Sequence, residues 1–343
     1  MMSEFQKQVT KKQQETFNRL SKQLPAFCEV VITTKFVVEG RLRTTVIHYM
    51  RDWILFFQYC SEFFERYRDK QVADFTVDDV QSITFEELVA FEQWQLNDRN
   101  VAKTSQSRRR SALKVLFNTL YKKNIILQDP TTKYDKLKLN HKGIIALAAN
   151  EQATLLDAVE SGQGLSDKQQ KSRNELSICR DMALVTLLLD TGLRIGEVYL
   201  LETENFDFKN MEITVLGKGS KVRTVVFSEE TKTALLAYLK HPDRPKLKAD
   251  MQGAIFLNRD NERLSIRSMQ KIVKKYAKTI GKFNITPHKL RSSAGLALYE
   301  ATGDIRVVAA QLGHEDIAVT AKKYVEASKH RLHDAMRQRG SLR

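Results

Sequence analysis

A histidine and an arginine stand three residues apart in Thr286-Pro287-His288-Lys289-Leu290-Arg291. Threonine is favoured at the cap of a helix and proline in its first turn, so a helix is expected to begin here. His288 and Arg291 then lie one turn apart on the same side, beside backbone amides that attract anions. An imidazole and a guanidinium so placed can hold a phosphate. Taken alone the pair says little, because this spacing arises often by chance.

Further residues able to handle an anion or a proton lie on either side. Asp304 can cap a helix that runs to Leu312 and stops at Gly313, leaving His314 just beyond the cap. Tyr324 follows ten residues later, next to Lys322 and Lys323. Upstream, Thr191-Gly192-Leu193-Arg194-Ile195-Gly196-Glu197 puts Arg194 at the mouth of a turn entering a helix. Lys218 comes twenty-four residues after it, at the tip of the turn Gly217-Lys218-Gly219-Ser220. Read singly, His314 is an ordinary histidine and Tyr324 a helix tyrosine packed by its ring. The glycine turn is no P-loop, since the GxxxxGK[ST] spacing is missing. His288 and His314 lack the short spacing of usual zinc motifs, and no metal or cofactor is expected.

The elements that must position these residues can be read from periodicity. Val46, Met50, Trp53, Ile54 and Phe57 recur at helical spacing, as do Leu88, Phe91 and Trp94. Another helix is expected from a cap near Thr104, with Leu113, Leu116, Phe117 and Leu120 on one face. Between Val101 and Gly143 eleven Lys or Arg stand against two acidic residues. Arg108, Arg109 and Arg110, aided by Lys103, Thr104 and Gln106, are candidates for a DNA groove, with a solvated helix face as the bland alternative. Asp129-Pro130 ends this region, and a lysine-rich linker reaches about Lys142. Division into residues 1–141 and 142–343 is expected, with the first helix of the second domain capped at Asn150. Asp181 to Leu189 reads as a buried helix ending at Thr191-Gly192. Met211–Val215 and Val222–Phe227 read as a hairpin, with Ile255-Phe256-Leu257 as a third strand and helices resuming at Ser265.

Composition sets the outer limits. The 343 residues exceed what one core usually supports, and 42% are hydrophobic with five prolines, which favours two folded, largely helical domains. Lys and Arg number 56 against 41 Asp and Glu, a net charge of +15 that suits a polyanionic partner. Cys28, Cys60 and Cys179 form no CxxC pair, so neither a disulfide framework nor a zinc site is indicated. The N-terminus lacks the apolar segment of a signal peptide, and the longest apolar run, Ala183–Leu189, is too short to span a bilayer. A soluble, cytoplasmic, nucleoid-associated protein without a membrane partner is expected.

Taken together and in order, Arg194, Lys218, His288, Arg291, His314 and Tyr324 closely resemble the signature of the tyrosine recombinase (lambda-integrase) family. The segments that carry the likeness are TGLRIGEV, VLGKGSKVRTVVF, ITPHKLR and QLGH, the last followed by Thr320 and Tyr324. It extends from about Asn150 to the C-terminus, and more loosely to the helical N-terminal part, which looks like the family's core-binding domain. ITPHKLR, LYEAT and QLGH look most like the Xer branch, particularly its single-recombinase members. Three departures stand out: Ser292-Ser293 replaces the frequent His-Thr, Glu326 replaces a frequent histidine, and ten residues rather than nine separate His314 from Tyr324.

The resemblance implies a mainly α fold with a small β-sheet: a helical core-binding domain and a mixed α/β catalytic domain. It implies a phenol attacking a phosphodiester, through five-coordinate phosphorus, to give a 3′-phosphotyrosyl bond. Arg194 and Arg291 would hold the non-bridging oxygens and His314 would add a donor. Lys218 would protonate the departing 5′ oxygen and His288 would assist proton transfer at Tyr324. The partners implied are double-stranded DNA with an inverted-repeat site, a homotetramer on two duplexes, and a DNA translocase or directionality factor. The basic tail after Tyr324, with Val325, Leu332 and Met336 as a thin apolar stripe, would dock on a neighbouring protomer or hold DNA. The Xer likeness leans toward resolving chromosome dimers through a Holliday junction. The alternatives are an integrase of a mobile element or phage, a DNA inverter, a relaxing enzyme of topoisomerase IB type, and a DNA-binding accessory protein without catalysis.

Overall fold

The computed structural model describes residues 4–134, 145–217, 222–245 and 253–313, together with Ala321, Tyr324 and Val325. The chain divides into two compact units, Met1–His141 and Lys142–Arg343. Both are mainly helical, and the second contains a small three-stranded sheet.

The first unit holds α1 (Glu4–Ser21), α2 (Cys28–Thr33, continued by a π-helical turn over Thr34–Val38), α3 (Arg43–Phe63), α4 (Val77–Gln81), α5 (Phe85–Asn97) and α6 (Lys103–Lys122). Val46, Met50, Trp53 and Phe57 are buried along one stripe of α3, the period expected of a core helix. The indole N–H of Trp53 donates to the Ala112 carbonyl at 2.8 Å, which fastens α3 to α6. Capping boxes at Thr76/Asp79 and Thr84/Glu87 set the starts of α4 and α5. Helix α6 starts at Lys103 with Ala102 in the cap position and no side-chain bond, so Thr104 lies inside the first turn rather than capping it.

The second unit holds α7 (Ala149–Ser161), α8 (Asp167–Lys171), α9 (Glu175–Thr191), α10 (Ile195–Leu200), β1 (Phe206–Asp207), β2 (Glu212–Leu216), β3 (Val222–Val226), α11 (Glu229–Leu239), α12 (Ile266–Thr279), α13 (Pro287–Thr302) and α14 (Ile305–Leu312). Ala148, not Asn150, occupies the cap of α7, and its amide donates to the Glu151 carboxylate at 2.8 Å. Helix α9 is the core element, buried without a break from Ala183 to Leu189. Its buried Asp181 is compensated from α12, by Lys275 Nζ at 2.9 Å and the Tyr276 hydroxyl at 3.0 Å. Gly192 ends α9 in the left-handed region (φ 63°), and a Cβ there would meet Leu312 Cδ2 at 2.4 Å. Glycine thus both turns the chain and lets α14 approach.

The sheet is antiparallel in the order β1-β2-β3, with Ile213 opposite Val225. Its third strand is β1, not Ile255-Phe256-Leu257. Those residues are buried, but only isolated bridges flank them, from Ala254 to Glu202 and from Leu257 to Arg263. Gln311 of α14 closes the β3 edge, accepting from the Val226 amide at 3.2 Å and donating to its carbonyl at 2.7 Å.

Candidate active site

Three stretches distant in sequence meet where α9, α13 and α14 come together. Arg291 projects from the first turns of α13 and is 3% exposed. Its Nη1 donates to the Gly192 carbonyl at 2.6 Å and its Nη2 to the Leu312 carbonyl at 2.5 Å. Both carbonyls belong to helix C-termini, where the dipole favours a cation. Arg194 caps α10, and its amide donates to Glu197 Oε2 at 2.8 Å. Its Nη1 reaches Glu197 Oε1 at 3.0 Å and its Nη2 the Gly313 carbonyl at 3.4 Å, with the side chain still 46% exposed. Arg194 and Arg291 are therefore tied to adjoining carbonyls at the end of α14.

The Tyr324 hydroxyl packs against α13 at Gly295, one helical turn after Arg291. Its ring is buried with Leu296, Val308 and Leu312. A Cβ on Gly295 would come within 2.5 Å of the Tyr324 hydroxyl, so this glycine makes the slot in which the phenol rests. Burial pushes the Tyr324 pKa up, opposed by the charge of Arg291, so the phenol is protonated at neutral pH in this position. Burial and the charge of Arg194 lower the Arg291 pKa to about 10, which leaves it cationic at neutral pH.

Sequence reasoning did not find two members of this cluster. Arg223 of β3 donates to both oxygens of Glu197, at 2.9 and 3.0 Å. Burial alone would raise the Glu197 pKa, but hydrogen bonds from Arg223 and the Arg194 amide, with both arginine charges, hold the carboxyl below its usual range. Two guanidinium groups thus share one carboxylate while Arg291 beside them bonds to backbone carbonyls, an excess of positive charge fit for an anion that gains charge during reaction. Glu197 carries a local signal, since a glutamate three residues after the helix-entry residue can close a capping box. Arg223 carries none.

His288 is exposed in the first turn of α13. Lys218, Lys221, His314, Thr320, Lys322, Lys323 and the tail after Val325 lie outside the described residues, as do most of the lysine-rich linker and the hairpin tip.

In the first unit, the expected groove-facing set on α6 divides. Lys103, Thr104 and Arg108 are exposed, and Arg108 pairs with Asp52. Gln106 is buried, Arg109 donates to Gln95 Oε1 at 2.8 Å, and Arg110 pairs with Glu92 beneath the Tyr134 ring. Three consecutive helix positions span about 200° of the circumference, so Arg108, Arg109 and Arg110 cannot share one face. A stronger exposed stripe lies on α12, where Arg267, Lys271, Lys274 and Lys278 recur at helical spacing without a carboxylate partner among the described residues.

Residues 146–331 match the profile of the Phage integrase family. Tyrosine recombinase XerC of Caldanaerobacter subterraneus subsp. tengcongensis is 29% identical over 307 residues, covering 86% of this chain and 82% of that one. XerC of Mycobacterium sp. (strain KMS) is 33% identical over 221 residues, covering 64% and 71%. Among solved structures, the Tn1549 transposon integrase in complex with transposon right-end DNA superposes with a TM-score of 0.62 at 18% identity, over 90% of this chain and 99% of that one. XerH bound to its difH substrate gives a TM-score of 0.58 at 20% identity, over 86% and 78%. Both likenesses bear on fold. No helix among the described residues is long and apolar enough to cross a membrane.

Proposed function

Because the chain belongs to the phage integrase family, we propose that it is a site-specific tyrosine recombinase that cleaves and rejoins duplex DNA through Tyr324. The observation that carries this is the convergence of Arg194 and Arg291 on the end of α14, one turn of α13 from the Tyr324 hydroxyl. In the reaction the Tyr324 oxygen attacks phosphorus, the 3′-phosphotyrosyl bond forms, and the bond to the 5′ oxygen breaks. Arg194 and Arg291 hold the non-bridging oxygens, His314 adds a donor, and His288 takes up the phenolic proton. Lys218 protonates the leaving oxygen. The ester energy is conserved, so rejoining is the reverse attack by a 5′ hydroxyl. Tyr324 must first leave the Gly295 slot, and the described arrangement is therefore a resting one.

The site acts on an inverted repeat bound by protomers that assemble as a homotetramer on two duplexes and exchange strands through a Holliday junction. Resolution of chromosome dimers, with a translocase or directionality factor, is the favoured role. The testing experiment is covalent trapping on a pool of nicked duplexes, with the linked residue mapped and the captured DNA sequenced. An adduct on Tyr324 enriched for an inverted repeat supports the proposal. DNA binding without any adduct favours the non-catalytic alternative.

Lys218→Ala is expected to slow cleavage by about 10²–10⁴-fold, the usual contribution of a placed general acid. A 5′-bridging phosphorothiolate, whose leaving group needs no proton, restores the rate. No rescue would move the acid role elsewhere, first to Lys221.

The α12 stripe gives a separate prediction for DNA binding. Each phosphate contact contributes about 0.9 to the slope of log K against log salt. Lys271→Gln with Lys274→Gln should reduce that slope by about 2 while leaving the melting temperature unchanged. An unaltered slope would remove this face from the DNA interface.

A further inference from the structure

We infer that Arg223 is a positioning residue for the cleavage step, acting through Glu197 on Arg194. The inference rests on the recombinase function proposed above and extends it to a residue outside the six family positions.

Arg223 sits on β3, immediately after the hairpin segment that carries Lys218. Its two terminal nitrogens chelate Glu197 at 2.9 and 3.0 Å. Glu197 is 8% exposed, and its Oε1 also accepts Arg194 Nη1 at 3.0 Å while Oε2 accepts the Arg194 amide at 2.8 Å. A carboxylate with one cationic partner can rotate about its last bond. Held in fork geometry by Arg223, it presents a fixed edge to Arg194. Arg194 needs that support because its side chain is nearly half exposed and otherwise rests on one long bond to the Gly313 carbonyl.

The same side chain reaches the other wall of the site. Gly313 ends α14 in the left-handed region (φ 64°), and a Cβ there would meet Arg223 Nε at 2.6 Å and Cζ at 2.9 Å. The guanidinium therefore lies against the residue that precedes His314 and whose carbonyl Arg194 touches. Its Nε is shielded from solvent and has no hydrogen-bond partner among the described residues. The side chain keeps its fork on Glu197 at the expense of that donor, so this orientation is set by the carboxylate. Of the two arginines on Glu197, the contact to substrate phosphate is left to Arg194, the more exposed one.

A plain fastening of β3 to α10 would use the same bonds, so the test must separate the two roles. Single-turnover cleavage of a nicked duplex is measured for wild type, Arg223→Lys, Arg194→Ala and the double variant, with DNA affinity and melting temperature alongside. Lysine keeps the charge but cannot hold both carboxylate oxygens. Arg223→Lys is expected to cleave at least tenfold more slowly with unchanged DNA affinity, and Glu197→Gln, which keeps the shape but weakens the chelate, should behave alike. In the Arg194→Ala background, adding Arg223→Lys should change the remaining rate less than twofold, because the group it positions is gone. The same tenfold loss in both backgrounds would overturn the inference, as would full cleavage by Arg223→Lys. A wild-type protein that binds DNA and forms no Tyr324 adduct would overturn the recombinase reading and this inference with it. A wild-type adduct beside an additive double variant would overturn the inference alone.

Discussion

Tyr324→Phe will bind its DNA site with unchanged affinity and form no covalent adduct. The phenylalanine keeps the ring that packs with Leu296, Val308 and Leu312, so the buried surface of this cluster is retained. The hydroxyl it loses rests against Gly295 rather than in a hydrogen bond among the described residues, and folding stability should move by less than about 1 kcal/mol. Loss of the proposed nucleophile is expected to remove the chemical step, with cleavage at least ~10⁴-fold below wild type. Denaturing gels of the nicked-duplex reaction read the adduct, and a native mobility shift reads binding. An adduct formed by the phenylalanine variant would place the nucleophile elsewhere.

Much of the frame around this tyrosine is legible in the sequence because its signals are local. Gly192 and Gly313 close α9 and α14 as left-handed caps, Asp304 accepts the Arg306 amide at 2.8 Å, and Pro287 opens α13. Each depends on a residue and its immediate neighbours. Pairing of the third strand does not. Ile255-Phe256-Leu257 has the apolar character of a buried strand, yet an apolar run reports burial and not its partner. The Tyr238 hydroxyl accepts from the Leu257 amide at 3.2 Å, while two residues of β1 take the sheet edge instead. Charge density on α6 is equally silent about direction, and Asp52, Gln95 and Glu92 draw the arginines toward the protein. Arg223 is invisible for the same reason. Its role needs the antiparallel register of β2 and β3, which places its side chain over Glu197 from a different motif.

Arg291 separates the cost of a site from the stability of its fold. Its pKa falls to about 10 from an ordinary value of 12.5, chiefly through burial. A cation whose pKa is lower in the folded chain opposes folding wherever it is charged. That opposition is full below about pH 10 and is relieved as pH climbs through that value. The shift corresponds to roughly 3 kcal/mol. Against it stand the bonds to the Gly192 and Leu312 carbonyls, which would lose their donor in Arg291→Met at about 1–3 kcal/mol. These opposing effects are of similar size, so Arg291→Met should unfold within about 2 kcal/mol of wild type in urea. Cleavage should nevertheless fall by about 10²–10³-fold, the usual effect of removing one donor from developing negative charge. A variant that cleaves normally would remove Arg291 from the reaction. One that fails to fold would mean that the two carbonyl bonds outweigh the desolvation of the charge, and that Arg291 holds α9 to α14 as well as serving the phosphate.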